Sequence, residues 1–208
     1  MEADADVSSL VEDRRKLEAS ANGRLLPTYT QLFFFALVRA MMREESAFFR
    51  GTLSGDGRSL LVKESVNIGF AATGPDNTLY APVILDAQTL NLAELCSRMR
   101  ELTKQVREGT LPAQALAGAT MTLSNLGSHN VTGGTPFVIP GQTGVLCTGA
   151  IRSKFVAEDH KPKERFIVQM RLVFDHRAVN GSQAAAFLDV MRQCLKDIRL
   201  EQWSASRG

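Results

Sequence analysis

The sequence predicts an α/β fold in a single domain, and three observations lead to this fold class. Helical and strand-like hydrophobic patterns alternate along the chain. Its 208 residues are enough for one sizeable core, and a hydrophobic content of 44% with 22% charged residues is ordinary for a globular domain. Neither an internal repeat nor a low-complexity segment divides the chain. We therefore expect one domain over residues 1–208.

Two helices are predicted near the start of the chain. Asp6 is a candidate cap for the first, which carries four apolar residues on one face: Val7, Leu10, Val11 and Leu17. Thr28 is a candidate cap for the second, which extends to Arg43 and is apolar enough to be buried. This apolar stretch contains Arg39 and is shorter than the about 20 residues that span a bilayer, so no membrane segment is expected.

Three short strands are predicted next, over residues 60–62, 68–72 and 79–84, after a glycine-rich loop or hairpin tip at 51–57. A long helix follows, because apolar residues recur every three or four positions before Gly109. Those apolar residues are Leu92, Leu95, Met99, Leu102 and Val106.

The last part of the chain predicts strands over residues 119–123, 137–139, 145–149 and 165–174, followed by a helix. One face of the strand at 165–174 is apolar, with Phe166, Val168, Met170 and Leu172 alternating with other side chains. The final helix has a stripe at helical spacing: Ala184, Phe187, Leu188, Met191, Cys194, Leu195 and Ile198.

Charge and cysteine usage exclude several classes of protein. The net charge of +2 is spread over interleaved acidic and basic residues, which gives no case for nucleic acid or an anionic membrane as a partner. Cys96, Cys147 and Cys194 have no paired spacing, so we expect free thiols in a reducing compartment and no metal site. Acidic residues follow Met1, which does not resemble a signal peptide. These features favour a cytoplasmic location, with the mitochondrial matrix as the alternative.

The most informative segment joins the last strand to the last helix and reads FDHRAVNG over residues 174–181. Gly181 relieves steric limits at the turn, and Asn180 can hydrogen-bond locally. His176 is therefore expected at a strand–turn–helix joint, where a side chain can reach a substrate. Histidine is a candidate general acid or base near neutral pH, although an isolated histidine is more often structural.

This segment resembles the His-x-x-x-Asp-Gly signature of the dihydrolipoamide acyltransferases, the core subunits of 2-oxoacid dehydrogenase complexes, and of their relative chloramphenicol acetyltransferase. Further similar blocks occur in family order: DADVSSL at 4–10, VNIGFA at 66–71, APVI at 81–84, REG at 107–109, TLSNLG at 122–127 and TPF at 135–137. The resemblance implies a two-layer chloramphenicol acetyltransferase-like fold, with a mixed sheet flanked by helices. It also implies a trimer with active sites between subunits.

The resemblance implies acyl transfer between thiols. A thiol with a pKa of about 8.5 is mostly protonated at neutral pH, so a general base is needed, and His176 matches the family's base. Attack on a thioester builds an oxyanion, and Ser124 matches the family's hydroxyl donor, supplied across the subunit interface. Asn180 belongs to the same site but stands where the family usually has Asp, so it keeps hydrogen bonds without the charge. His129 is expected to be an ordinary loop residue. His160 is expected to be part of a charged tip.

The implied co-substrate is coenzyme A. No lysine lies in a lipoylation context and no serine in a carrier-protein context, so the acyl group is expected from another domain or protein. The first hypothesis is transfer between dihydrolipoyl-lysine and coenzyme A. One alternative is acyl transfer to or from the phosphopantetheine of an acyl carrier protein. The other is a noncatalytic core scaffold, but the presence of His176 disfavours a purely structural role. The expected partners are further copies in a homotrimer or assembly of trimers, a lipoyl domain or carrier protein, and a 2-oxoacid decarboxylase-type component.

Further departures from the family pattern accompany the resemblance. Cys147 replaces a small residue, and Ile139-Pro140-Gly141 replaces an Asn-x-Pro turn. We also expect the N-terminal segment that embraces a neighbouring subunit in the family to be absent. The expected unit is thus an N-terminally short catalytic domain without a lipoyl or carrier domain.

Overall fold

The structure is a computed structural model that describes residues 1–21, 25–200 and Trp203. Its four α-helices are α1 (Ser8–Ser20), α2 (Tyr29–Met41), α3 (Leu92–Glu108) and α4 (Gly181–Lys196). Its strands are β1 (Glu2–Asp6), β2 (Gly51–Leu53), β3 (Leu60–Val62), β4 (Ile68–Phe70), β5 (Ala72–Thr73), β6 (Leu79–Tyr80), β7 (Val83–Ile84), β8 (Met121–Asn125), β9 (Gly144–Thr148), β10 (Arg152–Glu158) and β11 (Lys161–Phe174).

The predicted α/β class with a mixed sheet is confirmed. Strands run in the order β1–β11–β9–β8–β4–β7, and β10 also pairs with β11. Strand β8 is parallel to both β9 and β4, whereas the other pairs of this sheet are antiparallel. The main hydrophobic core lies between the helices and one face of this sheet, because alternate residues such as Leu123, Leu146 and Leu172 join the buried apolar side of α2 and α4.

Two predicted helix boundaries follow from capping. Thr28 caps α2 in a capping box with Gln31, as expected, although α2 ends at Met41 and not at Arg43. Asn91 and Glu94 form a second capping box at the start of α3, and Gly109 ends that helix with φ at 67°, in the left-handed region that favours glycine.

The predicted cap at Asp6 is wrong by one residue. Asp6 ends β1, and α1 begins at Ser8 after Val7. The Asp6 carboxylate still accepts hydrogen bonds from the Ser8 amide at 2.9 Å and the Ser8 hydroxyl at 2.6 Å. Strand β1 was missed because its sequence, EADAD, has no β-branched or aromatic residue. It forms through pairing with β11.

The predicted strand at 137–139 is wrong. This segment lies outside the ladders, and the Phe137 side chain is 93% exposed. Pro136 and Pro140 flank it and cannot donate backbone hydrogen bonds, which disfavours strand pairing. The predicted strands at 68–72 and 79–84 each split into two short strands. In the segment at 79–84, the break includes Pro82.

Strand β10 was also missed, because its sequence is highly charged. It pairs with the first half of β11 in a hairpin that turns at Asp159 and His160, both with positive φ. The expected charged tip is confirmed there. Strand β3 is confirmed, but it pairs with β2 in a separate hairpin. Within the residues described, no helix is both long and apolar enough to cross a membrane.

Candidate active site

Ser124 lies near the end of β8, on the face of the sheet that points away from the helices. It pairs with Cys147 of β9, and Cys147 pairs with Arg171 of β11, so these three side chains form one row across the sheet. The Arg171 guanidinium donates a hydrogen bond to Thr135 Oγ1 at 2.7 Å and forms an ion pair with Glu2. Ser124 is half-buried in this row.

Cys147 is the immediate neighbour of the Ser124 hydroxyl. Its side chain is 1% exposed, and this burial raises the pKa of the thiol. A hydrogen bond from the Gly134 backbone, the charge of Arg171 and a hydrogen bond with Ser124 oppose the shift without reversing it. Cys147 is therefore a neutral thiol at neutral pH and is suited to packing against Ser124, and not to acting as a nucleophile.

His176 lies in the turn that follows β11. The Asp175 amide donates to the Thr143 carbonyl at 2.9 Å, and the Asp175 carbonyl accepts from the amides of Ala178 and Val179, each at 3.0 Å. These bonds define the turn and leave the His176 side chain exposed. The imidazole thus lies just beyond the C-terminal end of β11, at the strand–turn–helix joint that the sequence predicts.

Asp175 and Arg177 form an ion pair on either side of His176. The Asp175 carboxylate accepts from the Arg177 amide and Nε, both at 3.0 Å, and from Nη2 at 2.6 Å. Hydrogen bonding from Arg177 lowers the pKa of Asp175, so this carboxylate is charged at neutral pH. The ion pair thus connects the two residues that flank His176 in the turn.

Asn180 is the N-cap of α4. Its Oδ1 accepts from the Gln183 amide at 2.9 Å and from the Ser182 hydroxyl at 2.7 Å, and its own amide donates to Gln183 Oε1 at 2.9 Å. Asn supplies these acceptors as well as Asp would, so the departure from the family pattern leaves the cap intact. The Asn180 side chain fixes where the turn ends and the helix begins.

The strand register separates Ser124 from His176 within one chain. Met121, Gly144 and Phe174 lie side by side on β8, β9 and β11. Ser124 lies three residues from this level in one direction, and His176 follows Phe174 in the other, because β11 is antiparallel to β9. The two side chains are thus on the order of 15 Å apart along the strands and two strand spacings apart across them. Within one chain, Ser124 and His176 therefore cannot both contact the same small group.

His129 and His160 lie elsewhere. His129 ends a short 3-10 turn, Gly127–His129, and His160 lies in the β10–β11 hairpin turn. Across residues 1–21, 25–200 and 203, no group of three or more His, Cys, Asp or Glu side chains could hold a metal ion. The ring of Phe174 lies against that of His176, a contact that was not predicted from the sequence. An aromatic residue two positions before a histidine at a strand end could have indicated it.

Fold and site together define the class of protein. The fold is that of chloramphenicol acetyltransferase: a solved structure of that enzyme superposes with a TM-score of 0.62, covering 94% of this chain and 86% of that one. Its 12% identity shows the fold alone. The family profile of the 2-oxoacid dehydrogenases acyltransferase (catalytic domain) matches residues 1–201, and the chain belongs to this family of acyltransferases.

Among its relatives is the dihydrolipoyllysine-residue acetyltransferase component of the acetoin cleaving system of Bacillus subtilis, 30% identical over 193 residues. The match covers 93% of this chain and 48% of the relative, so the chain spans about half the length of that protein. Dihydrolipoamide acetyltransferase of Azotobacter vinelandii has been investigated for a serine, a histidine and an asparagine in its catalytic mechanism. Its structure matches with a TM-score of 0.87 and 28% identity, covering 96% of this chain and 81% of that one.

A structure of the cubic core of the pyruvate dehydrogenase multienzyme complex gives the same TM-score of 0.87 and the same 28% identity. It covers 96% of this chain and 81% of that one. The family prediction made from the FDHRAVNG segment and its accompanying blocks is confirmed.

Proposed function

We propose that this domain transfers a short acyl group between the thiol of dihydrolipoyl-lysine and the thiol of coenzyme A, with His176 as general base and Ser124 as oxyanion donor. The observation that carries the proposal is a shared spacing. The serine, histidine and asparagine studied in the Azotobacter acetyltransferase are separated along that chain by the same intervals as Ser124, His176 and Asn180 in this one. Asparagine at the third position is therefore compatible with the assigned roles.

The proposed reaction begins at the acceptor thiol. His176 removes the proton from the sulfur, and the thiolate forms a bond to the thioester carbonyl carbon. The carbonyl oxygen becomes an oxyanion and accepts a hydrogen bond from the Ser124 hydroxyl, a contact that is typically worth about 3 kcal/mol in the transition state. When the intermediate collapses, the bond to the departing sulfur breaks. The imidazolium returns its proton to that thiolate, so the enzyme ends unchanged.

The site proposed for this reaction is shared between subunits. His176 would come from one chain and Ser124 from a neighbour, because the register holds them apart within a single chain. Such a heterologous contact closes into a ring, and we propose a homotrimer or a larger assembly of trimers. The cubic core of the related complex supports the larger assembly. A lipoyl domain and a 2-oxoacid decarboxylase-type component are the proposed further partners.

The acyl group proposed first is acetyl, because the relatives from Bacillus and Azotobacter are both acetyltransferases. The donor arm is proposed to be lipoyl for the same reason. An acyl carrier protein presents a similar long arm that ends in a thiol, and it is the alternative donor that the experiment has to separate.

The test offers acetylated lipoyl domain and acetylated carrier protein in parallel, each with coenzyme A as acceptor, and measures acetyl-coenzyme A. We expect efficient transfer from the lipoyl domain. His176→Ala should lower that rate by at least about 100-fold, and Ser124→Ala should lower kcat with little change in KM. His160→Ala is the matched control, since this histidine lies in the distant hairpin turn. Efficient transfer only from the carrier protein would overturn the lipoyl assignment, and absence of transfer from either donor would favour a scaffold.

A further inference from the structure

The imidazole of His176 lies beside the aromatic ring of Phe174. The ring centroids are 5.6 Å apart and the planes are tilted by 39°, within the range of favourable aromatic pairs. Over residues 1–21, 25–200 and 203, the side-chain hydrogen bonds around His176 join Asp175 and Arg177 and none involves the imidazole, and the His176 side chain is exposed. The contact with Phe174 is therefore an interaction that can orient this ring.

Phe174 is itself firmly held. It is the last residue of β11, pairs with Gly144 of β9, and packs with its half-buried side chain against the main core. Next to it, Asp175 is fixed by the bond from its amide to the Thr143 carbonyl. The ring thus belongs to the rigid end of the sheet, whereas His176 belongs to the turn. A fixed ring beside a side chain in a turn restricts the rotamers that side chain can adopt.

The chemistry of the proposed reaction gives this contact a second effect. A general base becomes an imidazolium after it accepts the thiol proton, and an adjacent aromatic ring attracts a cation through its quadrupole. The attraction is strongest while the proton is on the imidazole, which is the interval in which the acyl group is transferred. It therefore favours the transition state over the ground state.

We propose that Phe174 is a positioning residue for acyl transfer, which orients the His176 imidazole and stabilises it while it carries the proton. This inference rests on the proposed function, because it assigns the base role to His176. Phe174 acts through His176 and is not expected to touch the substrate. Its removal should consequently slow turnover without weakening substrate binding.

The variants are Phe174→Leu, which removes the ring but keeps an apolar side chain, and Phe174→Tyr, which keeps the ring. We expect kcat to fall about 10-fold in the first variant with KM for coenzyme A changed less than about twofold, and to be near the parent value in the second. Phe155→Leu is the matched control, since Phe155 is 76% exposed on β10 and pairs with Glu164. Should Phe174→Leu fail to fold, Phe174→Met provides a flexible apolar replacement.

A second measurement reports the contact without any turnover. The chain has three histidines, so protein labelled with carbon-13 at the imidazole Cε1 atom gives three signals that single His→Asn variants assign. The ring current of Phe174 should displace the His176 signal, and Phe174→Leu should move it while His129 and His160 stay unchanged.

The outcomes separate the two proposals. An unmoved His176 signal in Phe174→Leu, or a moved signal with parent kcat, would overturn the positioning role. A substrate-affinity loss as large as the loss in kcat would overturn it as well, because it would indicate a structural effect. If the parent transfers no acyl group while its His176 signal still depends on Phe174, the proposed function fails and the catalytic part of this inference falls with it.

Discussion

Ser124 on β8 and His176 after β11 lie at opposite ends of the same sheet in one chain. Ser124 is level with Arg171, three residues before the end of β11, and His176 lies two residues beyond that end. The β8–β9–β11 ladders hold Ser124 and Phe174 in place, and His176 is only two residues beyond Phe174. The proposed site therefore requires neighbouring chains to supply its two halves.

The first prediction is that two inactive variants restore activity when their chains mix. His176→Ala keeps an intact serine and Ser124→Ala keeps an intact histidine, so some interfaces in mixed assemblies contain both residues. Random mixing in equal amounts should recover about a quarter of the parent activity, because each interface takes one half from each of two chains. Turnover is measured after subunit exchange, with light scattering to establish the assembly. No recovery despite demonstrated exchange would place both residues of a working site in one chain.

The second prediction concerns the cap of α4. Asn180→Ala removes the side-chain acceptor for Gln183 and Ser182 and should destabilise the fold by about 1 kcal/mol, or about 2–4 °C in Tm. Asn180→Asp keeps the acceptor and should unfold near the parent temperature. Thermal unfolding followed by circular dichroism measures both. Gln193→Ala on the exposed side of α4 is the control, and equal Tm values for Asn180→Ala and parent would contradict the capping role.

The third prediction follows from the Asp175–Arg177 pair. Hydrogen bonding from Arg177 holds the pKa of Asp175 below its ordinary value of 3.8. A lowered folded-state pKa stabilises the fold above the ordinary value, and this contribution is lost as the pH falls through the lowered one. Arg177→Gln should therefore reduce the free energy of unfolding at pH 7, and the difference from the parent should shrink as the pH falls below 3.8.

Urea unfolding at several pH values checks this third prediction. Arg107→Gln serves as the comparison, because Arg107 is an exposed residue in the last turn of α3, away from Asp175. A deficit in Arg177→Gln that stays constant between pH 7 and pH 3 would show that Arg177 stabilises the turn through packing and not through the Asp175 charge.

The fourth prediction concerns the thiols. Cys96, Cys147 and Cys194 are all free and buried, and burial raises the pKa of each, to about 12 for Cys96. Because the thiolate is the reactive form, Ellman's reagent at neutral pH should label the native protein slowly and all three cysteines rapidly in denaturant. Cys147→Ala identifies its share of the signal. Rapid labelling of native Cys147 would mean that the row formed by Ser124, Cys147 and Arg171 becomes accessible to solvent in the folded protein.

Sequence periodicity was sufficient where each element has its own strong signal. Thr28 with Gln31, and Leu92 to Gly109, combine caps with a helical apolar stripe, and the alternation in 165–174 predicted the core strand β11. The family resemblance added the mixed sheet and the candidate site. It is the matching motifs around His176, Ser124 and Asn180, and not periodicity, that single out these three residues as candidates.

Elements whose stability comes from their partners could not be predicted in this way. Strand β1 has little strand propensity of its own and is specified by its register with β11, and β10 is charged because its hairpin is exposed to solvent. The apolar run at 137–139 predicted a strand, but prolines on both sides prevent pairing. The distance between Ser124 and His176 depends on strand order across the sheet, which local patterns do not encode.

The division of the proposed site has a consequence for cells that carry two versions of the gene. A chain that lacks both His176 and Ser124, but still assembles, disables the sites at both of its interfaces with neighbouring chains. Parent activity would then fall more steeply than the fraction of defective chains rises. An assembling chain that lacks both residues would thus behave as a dominant-negative product. A chain that lacks only His176 or only Ser124 would lower activity in proportion to its share, and a chain that unfolds would be recessive.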